Sequence, residues 1–308
     1  MRKILLRFVA FPLVLLAGVI FSHLLHLYVH PECTLRDFSY SYPFEPYEHF
    51  SISSEEKMKI DEILNQKFFY LGNGKQMTAY LSQDGKYVLK FYNPRSFVKR
   101  EWFASWKKLK QMITLKFFAD AYFNRKERIA RLARRNKLAF LELKEETGTI
   151  YAHFNDSTQL DKIIQIQEKN GSYSSINILR YPFVLQKKVN IASEYLSFLV
   201  RGGDFEQAKQ VVYSLANLFI NRSKKGYTDR IQTLHNNYGF IDGEAVQIDV
   251  GRIVKIADQQ ISEVASLKTI FNSLKRSIYE INHDLGLEVE DTLDFKLQQY
   301  YCDIDSIK

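Results

Sequence analysis

The sequence predicts an α+β fold in two lobes, a small antiparallel-sheet N-lobe and a mainly helical, short C-lobe, preceded by one transmembrane helix. Three features support this prediction: an uncharged N-terminal stretch, alternating apolar residues broken by glycine turns, and helical periodicity late in the chain. Strands precede helices, an order typical of α+β folds. The 308 residues, 46% hydrophobic and 25% charged, suffice for a sizeable core.

The N terminus has the composition of a membrane anchor. Residues 8–31 contain no Asp, Glu, Lys or Arg, and Arg2, Lys3 and Arg7 precede them. As a helix, these 24 residues extend about 36 Å, enough to cross a bilayer. A cleaved signal peptide is the alternative, but the run is long and no clear cleavage site follows. We interpret residues 1–31 as an uncleaved single-pass anchor with its N terminus in the cytoplasm.

The rest of the chain divides into a connector and two lobes. Residues 32–50 are aromatic and marked by prolines, as expected of a connector. Residues 51–189 are predicted to form the N-lobe with a helical insertion, and residues 190–308 the C-lobe.

Turn signals and periodicity place the N-lobe elements. Residues 53–66 predict a short helix with a serine N-cap. Residues 67–92 alternate and contain the turns GNG and QDG, which predicts two or three antiparallel strands. Residues 96–144 are helical in pattern and strongly basic. Residues 147–154 and 181–189 are predicted strands, with a helix-compatible stretch between them.

The C-lobe begins with a clear amphipathic helix over residues 204–223 that starts on an aspartate. Residues 226–253 then predict loop, strand, turn and strand, with Asp242-Gly243 as the turn. Residues 262–285 are again helical in pattern.

Charge and cysteine content narrow the classes of partner. The net charge of +8, from 43 Lys+Arg against 35 Asp+Glu, favours anionic partners. Residues 125–137 hold seven basic side chains, which we interpret first as a solvated helix face and second as a contact with acidic lipid head groups. Nucleic acid is not expected, because interleaved aromatic residues and a docking motif are missing. Cys33 and Cys302 are the two cysteines, which excludes a disulfide framework but leaves one bridge open.

A glycine turn is followed by a lysine in an apolar strand. Gly72 and Gly74 form a turn that lets backbone N–H groups approach a phosphate chain. Sixteen residues after Gly74, Lys90 stands in the run YVLKFY. A lysine in such a run either reaches out at an edge or holds an anion.

A second group of polar residues surrounds the hairpin YGFIDGEAVQI. The strand ends on Asp249 and is followed by Gly251. Because a hairpin returns its ends to each other, Asn237 and Asp249 are expected to lie side by side. An amide oxygen and a carboxylate suit magnesium bound to a nucleotide phosphate.

The segments LGNGKQMTAY, YVLK, YTD…NNYG and IDVG, within roughly residues 67–253, resemble the protein-kinase-like superfamily. They follow the order of its glycine-rich loop, strand lysine, catalytic loop and metal-binding DFG motif. The resemblance implies an ATP- and magnesium-dependent phosphotransferase of unknown substrate.

The resemblance implies that Gly72 and Gly74 cover the phosphates and that Lys90 holds the α- and β-phosphates. In such a site a carboxylate pairs with the lysine. Glu127 is the predicted partner, since its helix has apolar residues to pack on the strands. Glu101 is the alternative, but it is so near Lys90 in sequence that the chain has little length to fold back.

The same resemblance implies that Asp229 accepts the proton of the attacking hydroxyl. It also implies that Asn237, or Asn236, and Asp249 ligate magnesium and that Gly251 lets the metal loop turn away.

Several positions depart from the superfamily pattern. Met77 replaces the third glycine, Tyr227 and Thr228 replace His and Arg, and Val250 replaces Phe. No APE-like motif follows, and only 57 residues remain after Gly251. The alternative interpretation is therefore a catalytically inactive, pseudokinase-like binding or scaffold module.

Overall fold

The computed structural model describes residues 52–74, 76–92, 130–154, 160–229, 234–258 and 263–307. The predicted anchor, the connector and most of the basic insertion, including Glu101 and Glu127, lie outside these residues. Within the described ranges, no helix combines the length and apolar character that a membrane span requires.

The larger sheet has seven strands: β1 (Lys67–Asn73), β2 (Met77–Ser82), β3 (Tyr87–Tyr92), β4 (Thr149–His153), β5 (Ile163–Gln167), β6 (Tyr173–Asn177) and β7 (Phe183–Lys187). Their order is β4-β7-β3-β2-β1-β5-β6. Neighbours are antiparallel except for β1 and β5, which are parallel. The predicted antiparallel sheet is thus wrong at one pairing, and the sheet is mixed.

Strands β5 and β6 occupy the stretch that was predicted to be helix-compatible, and that prediction is wrong. The burial of side chains in this hairpin alternates: Ile164, Ile166 and Ile176 are buried, while Ile163 and Ser175 are exposed. A period of two is the pattern of a half-buried strand. The isoleucines therefore pack on the core from one face of the sheet.

Three helical segments accompany this sheet: α1 (Ser54–Leu64), α2 (residues 130–142) and α3 (Lys144–Thr147). Helix α1 begins with a capping box, because the Ser53 hydroxyl accepts from the Glu56 N–H and the Glu56 carboxylate accepts from the Ser53 N–H. Its serine cap was predicted from the sequence and is confirmed.

The second half of the chain is mainly helical: α4 (Ala192–Arg201), α5 (Phe205–Lys224), α6 (Leu234–Asn237), α7 (Glu263–Ile281) and α8 (His283–Ile307). The short strands are β8 (Asn190–Ile191), β9 (Tyr227–Asp229), β10 (Tyr238–Ile241), β11 (Glu244–Gln247) and β12 (Ile253–Lys255). Asp204 caps α5 as predicted. The C-terminal helical region extends well past residue 285, and β9 replaces a predicted loop.

The buried apolar side chains form two large clusters and one small one. The first large cluster runs from Ile60 to Leu185 and the second from Ala192 to Tyr300. The small cluster joins the end of α2 to strands β9 and β12 and to the loop between β11 and β12. It contains Ala139, Leu143, Tyr227, Val250 and Ile253. The domain limits at 189/190 stay a prediction.

Candidate functional site

The β10–β11 hairpin brings two predicted metal ligands next to each other. Asp242 (φ 52°) and Gly243 (φ 85°) form its turn with two left-handed residues, the backbone of a type I′ turn. At the open end, the Asn237 carbonyl accepts hydrogen bonds from the N–H groups of Ile248 (2.8 Å) and Asp249 (3.4 Å). Asn236 lies in the same helical turn, and its side chain is outside the described structure.

Gly251 is required for a close contact and not for a left-handed backbone. Its φ is outside the left-handed region. Its N–H donates to Asp249 Oδ1 at 2.8 Å, and a Cβ added at Gly251 would lie 2.9 Å from the same oxygen. Gly251 was expected to let the loop turn away. The structure shows instead that the Asp249 carboxylate folds back onto the glycine, where a side chain would not fit. Arg135 of α2 donates to the Gly251 carbonyl.

Lys90 reaches from β3 to the segment that carries Asp249. Its Nζ donates to Gln186 Oε1 at 2.5 Å and to the Ile248 carbonyl at 3.1 Å. The Gln186 amide is itself fixed, because its Nε2 donates to the Thr147 carbonyl at 2.5 Å. The lysine thus contacts a neutral amide in the described structure, whereas its predicted carboxylate partner Glu127 lies outside it.

The surroundings of Lys90 favour the neutral amine. Burial lowers the pKa of Lys90 to about 8, and the nearby Asp249 carboxylate opposes part of that shift. A partly buried ammonium that donates to an amide and a carbonyl gains from an added anion, because the anion compensates for lost hydration.

The glycine turn between β1 and β2 approaches the Asp249 loop. The strand pairing shifts register between Tyr70 and Gly72, which indicates a bulge. The Gly74 N–H donates to the Met77 carbonyl at 2.8 Å and closes the turn. Gln76 Oε1 lies 3.7 Å from the position of a Cβ on Gly251. The turn therefore lies near the loop that follows Asp249.

Asp229 is buried, with 5% of its surface exposed. It ends β9, which pairs with β12 so that Asp229 is opposite Ile253. Its Oδ2 accepts from Gln247 Nε2 at 2.8 Å and from the Tyr238 hydroxyl at 3.2 Å. Burial raises the pKa of Tyr238, so this hydroxyl keeps its proton and remains a donor.

A buried arginine lies on the far side of Gln247. Arg222 is fully buried, and its Nη1 donates to Gln247 Oε1. Its guanidinium lies 5.5 Å from the centre of the Phe219 ring. Nε and Nη2 have no hydrogen-bond partner among the described residues. The site therefore includes a buried cation one amide away from Asp229.

Sequence reasoning did not single out Gln186, Gln247, Tyr238, Arg222 or Arg135. The two glutamines did carry a signal, because each is a polar residue in an otherwise apolar run, FVLQ and AVQI. Such a residue needs a buried partner. The arginines carried none, since both lie in helices with several other basic residues.

No family model and no curated protein matches the sequence. Similar solved structures include WbdD, which is 12% identical with a TM-score of 0.33 over 70% of this chain and 37% of WbdD. A WbdD structure is described as a bifunctional kinase-methyltransferase. Another is the Rv3197–erythromycin complex from Mycobacterium tuberculosis, 16% identical with a TM-score of 0.35 over 90% of this chain and 73% of the other.

A third is the co-crystal structure of WbdD with the kinase inhibitor LY294002, which is 15% identical with a TM-score of 0.34 over 74% of this chain and 45% of the other. TM-scores this low do not assign the chain to the family of these proteins, and the proposals below depend on the residues of the chain itself. A mixed sheet, a helical second half and the motif order from Gly72 to Asp249 resemble the protein-kinase-like superfamily.

Proposed function

We propose that this protein is a kinase-like phosphotransferase that uses ATP and magnesium. The observation that carries the proposal is the contact of Lys90 Nζ with the Ile248 carbonyl, directly beside Asp249 and the Asn237 backbone. This contact brings a cation to the backbone segment that joins Asn237 and Asp249, although Lys90 is far from both in sequence. Lys90 would hold phosphate oxygens, and Asn237 and Asp249 would hold the metal.

The donor set fits magnesium delivered by a nucleotide. Magnesium is bound by one or two protein carboxylate or carbonyl oxygens, with phosphates and waters completing its shell. Among the described residues, no group of three or more His, Cys, Asp or Glu side chains lies together. Bound magnesium would neutralise charge that develops on the transferred phosphoryl group.

In the proposed reaction, the chain mainly positions its reactants. Lys90 contributes a cation from a rigid central strand, and the glycine turn covers the phosphates. Asp229 orients the acceptor hydroxyl and takes its proton. Two donors already bind Asp229 Oδ2, and they hold this carboxylate in one orientation.

A pseudokinase-like binding module is the second candidate, and the burial of Asp229 favours it. A base must come within hydrogen-bond reach of the proton that it removes. At 5% exposure, Asp229 offers an acceptor little surface, and a module that binds nucleotide without transfer needs no such access.

Replacing Asp229 with Asn separates the two functions. If the protein is a phosphotransferase, we expect ATP consumption by the full-length chain to fall about 10²-fold or more, while affinity for magnesium–ATP is retained. Asp204→Asn is the matched control, because asparagine also caps helices well. A wild-type protein that binds magnesium–ATP and never consumes it would instead be the binding module.

We also propose that residues 1–31 anchor the protein in a membrane as a single-pass helix. Acidic lipid head groups would contact the basic residues between positions 125 and 137. The uncharged run and the preceding basic residues support this. Alkaline extraction of membranes tests it: the full-length chain should stay in the pellet, and its release into the supernatant would refute an integral anchor.

A further inference from the structure

The side-chain amide of Gln247 links the Asp229 carboxylate to the backbone of Asp249. Gln247 is fully buried on β11. Its Nε2 donates to Asp229 Oδ2 at 2.8 Å and to the Asp249 carbonyl at 3.0 Å. A primary amide has two N–H donors, so both are used. One short side chain therefore spans from the proposed proton acceptor to the proposed metal ligand.

Arg222 determines which way this amide faces. A guanidinium is only a donor, so it can bond the oxygen of the amide but not the nitrogen. Because Arg222 Nη1 contacts Oε1, Nε2 must face Asp229 and Asp249. If the amide were flipped, its N–H groups would face the N–H of Arg222, and its oxygen would face the Asp229 carboxylate. The orientation of Gln247 is thus fixed by the buried charge of Arg222.

Tyr238 gives Asp229 a second donor. Its hydroxyl donates to the same Asp229 oxygen as Gln247 does. These side chains are each at most 5% exposed: Arg222, Gln247, Tyr238 and Asp229. Water is therefore a poor substitute for any of these contacts, and removal of the central amide leaves unpaired groups on both sides.

We propose that Gln247 is a positioning residue: it sets the placement of Asp229 relative to the Asp249 segment, and Arg222 anchors it. Gln247 does not touch the nucleotide in this account. It acts by holding the Asp229 carboxylate against the Asp249 backbone. The nucleotide part of this inference rests on the proposed function, and the ligand-free part does not.

The ligand-free test is hydrogen exchange of the Ile248 amide, which donates to the Asn237 carbonyl at 2.8 Å. In Gln247→Met we expect this amide to exchange at least tenfold faster, while amides of the central strand β3 keep their wild-type rates. Gln165→Met, on an exposed position of β5, is the control. Unchanged exchange at Ile248, or equal acceleration everywhere, would overturn the positioning role.

Gln247→Glu covers the case in which the methionine variant does not fold. Glutamate keeps the contact with Arg222 as an ion pair but replaces the donor toward Asp229 with an acceptor. We expect a folded protein with the same local acceleration at Ile248. A folded Gln247→Glu protein with wild-type exchange there contradicts the proposal.

The nucleotide test measures ATP affinity with and without magnesium. In both Gln247 variants, the magnesium-dependent part of the affinity should fall about tenfold, whereas affinity for ATP without metal should match wild type. Equal losses with and without metal would indicate a general structural role and overturn the proposal. If wild type itself binds no ATP, the proposed function fails, and exchange at Ile248 alone decides the role of Gln247.

Discussion

Replacing Asp249 with Asn is expected to abolish the stabilisation of the protein by magnesium–ATP while leaving the fold intact. A ligand at 100 times its dissociation constant adds about 2.7 kcal/mol to the free energy of unfolding. Burial lowers the pKa of the Lys90 amine, and the Asp249 carboxylate is close enough to Lys90 to oppose part of that shift. Asparagine can still accept the Gly251 N–H bond, but it lacks the charge that binds magnesium.

The matched control for this change is Asp242→Asn. It removes one negative charge from the same hairpin, and asparagine tolerates the left-handed backbone that Asp242 adopts. Thermal unfolding with ATP and magnesium should give the wild-type shift for Asp242→Asn and none for Asp249→Asn. A full shift in Asp249→Asn would remove this residue from the metal site.

Replacing Lys90 with Met is expected to change the pH dependence of stability and to remove ATP binding. In wild type, burial lowers the pKa of Lys90 from 10.5 to about 8. Between these values the unfolded chain binds one more proton than the folded chain, so the free energy of unfolding rises with pH. The gain from this lysine is about 3 kcal/mol across that window. Below pH 8 the folded protein carries the charge of Lys90 in a site that burial makes unfavourable for it, and the methionine variant has no such charge.

Urea unfolding of both proteins from pH 7 to 11 measures this effect. The stability of wild type relative to Lys90→Met should increase between about pH 8 and 10.5, and ATP should no longer stabilise the variant. Lys67→Met, an exposed lysine on β1, should keep the wild-type response to ATP. A constant difference between wild type and Lys90→Met over the whole range would contradict the buried-charge account.

Local patterns predicted much of the fold. The capped helix α1, the hairpins of β1 to β3, the Asp204 cap of α5 and the Asp242-Gly243 turn each depend on a few adjacent residues. Strands β5 and β6 were missed because each is only five residues long, and such short runs also fit a helix. The parallel pairing of β1 with β5 depends on packing between distant segments, which periodicity does not report.

The candidate site shows the same division. The hairpin predicted that Asn237 and Asp249 would be neighbours, and their backbones are hydrogen-bonded. The contacts of Lys90 with Gln186 and of Arg222 with Gln247 join residues 96 and 25 positions apart. Sequence spacing contains no information on which buried donor meets which acceptor. Those contacts follow from how the sheet and α5 pack.

The proposed binding of ATP and magnesium by the segments that carry Lys90 and Asp249 is tested most sharply by calorimetric titration. Wild type, Lys90→Met and Asp249→Asn are each titrated with ATP in the presence and in the absence of magnesium. We expect binding at least tenfold tighter with magnesium in wild type, loss of this metal dependence in Asp249→Asn and loss of binding in Lys90→Met. Equal affinity with and without magnesium, or binding unaffected by both substitutions, would contradict the proposal.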